Sequence, residues 1–251
     1  MTRIPLLAAI AAVFAFAAPV QAIDLTDMTS EERKALRAEI RAYLIDNPEV
    51  IMEAIEVLEE RQAARAARDD AKLIKQNAEA VFDDGHSWVG GNPDGDVTLV
   101  EFMDYECGYC RRAFPEVESL IETDGDIRFI IKEFPILGEG SVLSSRFAIA
   151  VKQTVGDAAY KAVHDSLMSF KGEIGEPALR RIAKGLDLDP APIMAHMNTD
   201  AVTDVIAQNH ALARKLSISG TPTFIMEDRM LRGYVPLEQM MQIADEIRAD
   251  D

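Results

Sequence analysis

The segment Cys107-Gly108-Tyr109-Cys110 holds the only two cysteines of the chain and follows an apolar, strand-like run, Thr98-Leu99-Val100-Glu101-Phe102-Met103. Two thiols three positions apart can close into a disulfide across one helical turn, and the unpaired N–H groups of a helix start stabilise a thiolate placed there. Cys107 is then the attacking sulfur and Cys110 the resolving one. A structural zinc site needs four ligands, and the four histidines, His86, His164, His196 and His210, stand at no ligand spacing to the pair. Attachment of a c-type haem needs His directly after the second Cys, and position 111 is Arg. A purely structural disulfide over so short a loop removes little unfolded-state entropy, so a redox role is the stronger reading.

The N-terminus bears on the compartment. Arg3 precedes an apolar stretch over residues 6–18 and then Pro19-Val20-Gln21-Ala22, the pattern of a secretory signal cleaved after Ala22. The stretch is too short for a membrane span and no stop-transfer pattern follows. We therefore expect residues 1–22 to be a signal peptide, export to the periplasm, and no membrane insertion once the signal is removed. An exported chain whose only cysteines form one CxxC uses them for exchange rather than for stapling. With 43 acidic against 26 basic side chains, a formal net charge of −17, the surface repels phosphate backbones and anionic lipid, which argues against nucleic-acid and peripheral-membrane partners.

Residues 24–80 are helical in pattern and contain neither Gly nor Cys. Thr29-Ser30-Glu31-Glu32 has capping-box spacing, and Leu36, Ile40, Tyr43 and Leu44 share one helical face. Asn47-Pro48 ends that helix and opens another, with Asn at the N-cap and Pro at the first helical position. Val50, Ile51, Ala54, Ile55 and Leu58 form a second apolar stripe, while residues 59–72 have almost nothing to bury. Short amphipathic helices are marginal alone, so the stripes must pack on copies of themselves, on their own domain or on a partner. The polar stretch reads as a semi-rigid spacer and favours self-association. We expect residues 23–80 to be a helical stalk that makes a homo-oligomer.

From residue 81 onward the chain reads as an α/β domain. Residues 90–95 are a turn cluster, 97–103 a central strand, 110–122 a helix containing Pro115, and 127–131 the next strand, so the thiols lie at the carboxyl end of a strand, where open α/β sheets place their sites. Residues 141–216 read as a helical insertion, 223–226 and 230–232 as a hairpin, and 237–247 as a closing helix. Ser219-Gly220-Thr221-Pro222 precedes the hairpin, and a Pro there suggests an edge, a bend or a cis bond. Glu101 shares a strand face with Leu99 and Met103, which would desolvate its carboxylate, raise its pKa and let it exchange protons with Cys110.

This order of elements over residues 81–247 resembles the DsbA-like thioredoxin-fold disulfide oxidoreductases, and the segment Tyr43-Leu44-Ile45-Asp46-Asn47-Pro48-Glu49-Val50-Ile51-Met52-Glu53 resembles the oligomerising stalk of the suppressor-of-copper-sensitivity protein C (ScsC) type. The resemblance implies a DsbA-like domain over 81–251, a cis Pro222 facing the Cys107 sulfur, and Thr221 pairing by its backbone with an extended substrate polypeptide, a form of β-augmentation. It places Glu101 at the family's buried acid and Lys132 at a lysine near that acid. Gly108 and Tyr109 lie between the thiols; strongly oxidising relatives resemble Cys-Pro-His-Cys there, and Tyr109 in place of histidine removes one thiolate stabiliser and implies a weaker oxidant.

The reading that follows is a periplasmic thiol–disulfide oxidoreductase, an isomerase of misfolded exported proteins, with no cofactor beyond the Cys107–Cys110 disulfide, no metal, and a membrane thiol reductase as partner. The resemblance adds a link to copper tolerance. The alternatives are a dithiol oxidase of the DsbA type and, from another class, a holdase chaperone or a Cu(I)-binding protein, although the eleven methionines are dispersed.

Overall fold

The computed structural model describes residues 28–250, so the expected signal over residues 1–22 lies outside the described residues. The chain divides into two compact units, Met1–Glu60 and Arg61–Asp251. The division falls inside a helix.

In the first unit, α1 (Ser30–Asp46) begins with a capping box: the Glu32 N–H donates to Thr29 Oγ1 at 3.3 Å, and the Thr29 N–H donates to Glu32 Oε2 at 2.8 Å. Asn47 closes this helix rather than opening the next. Its side-chain amide donates to the Tyr43 carbonyl at 2.9 Å, and its backbone N–H reaches the same oxygen. The second helix, α2, runs Glu49–Gln76. No residue of α1 is buried, and Ile40, Tyr43, Ile51, Ile55 and Leu58 are all exposed, Tyr43 by 56%.

The second unit is a mixed five-stranded sheet in the order β1-β3-β2-β4-β5. β2 (Val97–Met103) and β3 (Ile127–Glu133) are the central parallel pair, and β1 (Trp88–Gly91), β4 (Thr223–Met226) and β5 (Arg229–Arg232) add antiparallel. The crossover between the parallel strands is α4 (Gly108–Asp124). The expected helical insertion is present as α5 (Glu139–Thr154), α6 (Asp157–Met168), α7 (Glu176–Gly185), α8 (Pro190–His196) and α9 (Asp200–Lys215), and α10 (Leu237–Asp250) closes the fold. This is the DsbA-like thioredoxin architecture.

Period-2 alternation divides the sheet's side chains between two cores. Leu99, Met103, Phe129 and Ile131 face α4, α10 and the insertion, whereas Val100, Phe102 and Ile130 face Ile74 of α2, Val81 of α3 (Ala78–Phe82) and Leu212 of α9. Both faces are covered, which is why β2 and β3 read as near-continuous apolar runs. The end of α2 therefore belongs to the body of this unit. Ile74 is 2% exposed, and Asp70 accepts both Arg232 guanidinium nitrogens at 2.6 and 2.8 Å.

Strand β1 occupies part of what reads in sequence as a turn cluster. Four residues, two of them glycine, carry too little pattern to show a strand. Gly90 is needed because the Trp88 ring lies over it, and a Cβ there would come within 1.9 Å of the indole. Gly91, at φ +66°, then turns the chain out of the sheet.

Lys132 is completely buried on the Val100–Ile130 side of the sheet. Its ammonium donates to the Ala80 carbonyl at 2.9 Å and pairs with Asp84, whose carboxylate also accepts from the Ser87 hydroxyl at 2.7 Å. Burial, the largest single influence, pushes the Asp84 carboxyl up, but the Lys132 charge together with the hydrogen bonds from Lys132 and Ser87 outweighs it and brings the group down to about 2. Its contribution to stability is thus present in full above 3.8, the ordinary value, and is lost as the pH falls through about 2. Asp84→Asn leaves an uncompensated buried ammonium and should cost about 3–5 kcal/mol in chemical denaturation. Pairing it with Lys132→Met should recover most of that loss.

Candidate active site

The carboxyl end of β2 runs into the turn Asp104-Tyr105-Glu106, and the Cys107 N–H closes it on the Asp104 carbonyl at 3.1 Å. Cys107 is the N-cap of α4, one turn earlier than the expected helix start, with φ −72° and ψ 116°. Its sulfur takes the place of the usual capping oxygen and accepts from the Cys110 N–H at 3.5 Å. Both thiols are free, and Cys110 is fully buried behind Cys107. The Thr221–Pro222 bond is cis, and the Thr221 carbonyl accepts from the Cys107 thiol at 3.2 Å. Helix start, sheet end and proline loop thus meet at one sulfur.

The hydrogen bond from the Cys110 thiol is the largest influence on Cys107 and, with the Thr221 side chain and the N–H groups of Cys110 and Tyr109, outweighs burial to bring it down to about 5. The same bond holds the proton on Cys110, and burial and the Glu101 charge add to the effect, so that Cys110 lies far above the ordinary thiol range. Glu101 is 3% exposed, and its Oε1 has no hydrogen-bond partner. Burial, then the nearby charges of Cys107 and Glu118, push it up to about 8.

Lys132 requires a correction. It pairs in register with Phe102, not Glu101, so its side chain leaves the opposite face of the sheet and bonds Asp84. It does not touch the acid under the thiols, and a role in tuning them falls away. Tyr109 is 61% exposed and a Cβ at Gly108 would meet nothing within 4 Å, whereas Cys107 itself is only 6% exposed.

Two residues to which the sequence assigns no part in the site hold the turn. The buried Asp104 carboxylate accepts the N–H groups of Glu106 (2.8 Å), Ile136 (2.7 Å) and Leu137 (3.1 Å), which ties the thiol turn to the loop after β3. Arg111 donates to the Tyr105 carbonyl at 2.6 Å and to the Phe170 carbonyl at 2.8 Å. An Asp at the head of a turn is a readable local signal. The reach of Arg111 to residue 170 is not.

A thiolate at a helix start, a buried partner thiol three residues on, and a buried carboxyl beneath them can carry out thiol–disulfide exchange. Fold and site together define a thioredoxin-class thiol–disulfide oxidoreductase. The chain belongs to the DSBA-like thioredoxin domain family, whose model matches residues 98–244. A second model, the copper resistance protein ScsC N-terminal domain, matches residues 32–65. A thioredoxin-like oxidoreductase from Silicibacter pomeroyi DSS-3 is 42% identical, with 68% of this chain and 97% of that one covered and a TM-score of 0.64. Proteus mirabilis ScsC in a transitional conformation is 30% identical over 89% of this chain and all of that one, with a TM-score of 0.66. Among curated proteins, the Na(+)/H(+) antiporter NhaA 3 of Salinispora tropica is 31% identical over 152 residues, 61% of this chain. The chain spans only 23% of that antiporter's length.

Titrating the thiolate absorbance of the reduced protein should give a midpoint for Cys107 near about 5. Cys110→Ala should move that midpoint upward, because it removes the largest of the stabilising hydrogen bonds; an unchanged midpoint would assign the effect to the helix backbone alone.

Proposed function

We propose that the protein is an exported, periplasmic disulfide isomerase that works as a homo-oligomer on misfolded exported polypeptides. The observation that carries this reading is the uncovered apolar face of the first unit: Ile40, Tyr43, Ile51, Ile55 and Leu58 are exposed, α1 buries no residue, and the buried residues of α2, Asp70 and Ile74, lie beyond the first unit. Helices of this kind are marginal until something covers them, and a second copy offers a matching stripe. The match of residues 32–65 to the ScsC N-terminal domain supports the same reading and is the ground for a link to copper tolerance. Residues 1–22 serve as the export signal, the N-terminal helices as the oligomerisation region, and the rest as the catalytic domain.

In the reaction the Cys107 thiolate attacks one sulfur of a client disulfide, forming a mixed disulfide and releasing the other sulfur as a client thiolate. Either that or another client thiolate attacks the client sulfur of the mixed disulfide and expels Cys107, with no net electron transfer, or Cys110 attacks Cys107, leaving the client reduced and the enzyme oxidised. In the second case a membrane thiol reductase must return two electrons. Glu101 exchanges the Cys110 proton, and the Thr221–Pro222 backbone pairs with the extended client beside the open space over Gly108 and Tyr109. Several such sites in one oligomer raise the effective thiolate concentration around a single client.

The test is refolding of a scrambled-disulfide protein by the mature chain and by its Ile51→Asp/Ile55→Asp variant, with the solution mass of each. An oligomer with isomerase activity, and a monomeric variant that reduces a simple disulfide at the same rate but isomerises poorly, is the expected result. A monomeric native chain that only oxidises reduced substrate would replace the reading with that of a dithiol oxidase.

A further inference from the structure

The exchange chemistry described above makes no use of a buried carboxylate on which three hydroxyls converge. Glu133, the last residue of β3, is 3% exposed and lies on the same sheet face as Glu101. Its Oε1 accepts the hydroxyls of Tyr105 (2.8 Å) and Tyr160 (2.7 Å), and its Oε2 accepts the Ser145 hydroxyl (2.7 Å). The three donors come from the thiol turn, α6 and α5.

None of them is charged. An ionised carboxylate is a pure acceptor and suits three converging hydroxyls, yet burial among neutral partners is costly. Burial pushes Glu133 up to about 7 against the pull of the three hydroxyls, with the Asp104 charge adding to the rise. His164 stands behind, with Nδ1 3.1 Å from the Tyr105 hydroxyl. Since that hydroxyl gives its one hydrogen to Glu133, His164 is the donor and carries its proton on Nδ1. Burial, with Lys161 nearby, brings His164 down to about 3, so it is neutral in this role.

Tyr105 is where this cluster meets the chemistry. It is completely buried and two residues before Cys107. Its ring end is held by Glu133 and His164, and its carbonyl accepts from Arg111, which follows Cys110. The position of the Cys107 sulfur over the α4 start, and so its hydrogen bonds from Cys110, depends on where this turn sits.

We propose that Glu133 is a positioning residue for thiol–disulfide exchange: through the Tyr105 hydroxyl it fixes the turn that seats Cys107 as the N-cap of α4. The inference rests on Cys107 being the attacking sulfur. Without that hold the turn relaxes, the Cys110 bonds to the sulfur lengthen, and the thiolate loses stabilisation.

The test is the pH profile of Cys107 alkylation by iodoacetamide in the full-length reduced protein, with the modified cysteine identified by mass spectrometry and melting temperatures recorded alongside. Tyr105→Phe should raise the Cys107 midpoint by about one unit, roughly tenfold less thiolate on the acid side of the profile. Ser145→Ala also removes one hydroxyl from the Glu133 carboxylate, but from α5 and on the other oxygen, so it should lower stability and leave the midpoint in place. Glu133→Ala should match Tyr105→Phe, and the double variant should shift no further than either single one. Should Glu133→Ala fail to fold, the Tyr105 and Ser145 pair still decides. Equal shifts in Tyr105→Phe and Ser145→Ala, or no shift in Tyr105→Phe, would overturn the proposal. Alkylation of wild type at Cys110 in place of Cys107 would instead overturn the assignment of the attacking sulfur.

Discussion

The hydrogen bonds that converge on the Cys107 sulfur at the start of α4 set the terms for everything around them. A helix leaves its first N–H groups unpaired, and here a sulfur rather than a side-chain oxygen answers one of them. Because the sulfur is favoured as thiolate, the Cys110 proton has a strong acceptor and stays where it is. The two thiols are therefore unlike although they are three residues apart. One is a thiolate at the helix start, 6% exposed, and the other a fully buried acid. The cis-proline loop adds the third side, with the Thr221 carbonyl close enough to bond the same sulfur.

Around this point the interior holds several charged or ionisable groups, and the way each is satisfied separates support from chemistry. Asp104 takes three backbone N–H groups, Glu133 three hydroxyls, and Lys132 a carboxylate and a carbonyl. Each arrangement joins segments distant in sequence. Glu101 differs, since its Oε1 has no partner, although the group is as buried as Glu133. A buried polar atom left open is expensive, and this one lies beneath the thiols, where the proposed exchange calls for a carboxyl that can take or give a proton.

The strand, turn and helix that carry the thiols were legible because each is set by local pattern: a continuous apolar run, a CxxC, and a helical stripe through Val117 and Leu120. The helical insertion and the hairpin were legible for the same reason. The partners of buried charges were not. Lys132 and Glu101 lie on neighbouring strands, and which face each side chain takes follows from the register, here Phe102 opposite Lys132. A shift of one residue would have reversed the answer. Glu133 was hidden because the sequence reading ended that strand at Ile131, and because Tyr105, Ser145 and Tyr160 meet only once the insertion has folded. Asn47 could equally cap the helix before it or the one after, and its side chain bonds backward.

The inequality of the two thiols also bears on the choice between isomerase and oxidase. A thiol of low pKa is a good leaving group, so a mixed disulfide through Cys107 is readily broken by a client thiolate. The competing resolution needs Cys110 to lose a proton that burial and the Glu101 charge both hold in place. In the proposed isomerase, both preferences would lengthen the client's opportunity to find another pairing before the enzyme is oxidised. Once Cys107 is tied up in the mixed disulfide its charge is gone, and with it one of the causes that raise Glu101. The carboxyl then becomes a better carboxylate at the moment Cys110 requires a base. Burial and the Glu118 charge are then the causes that still hold the Glu101 carboxyl up.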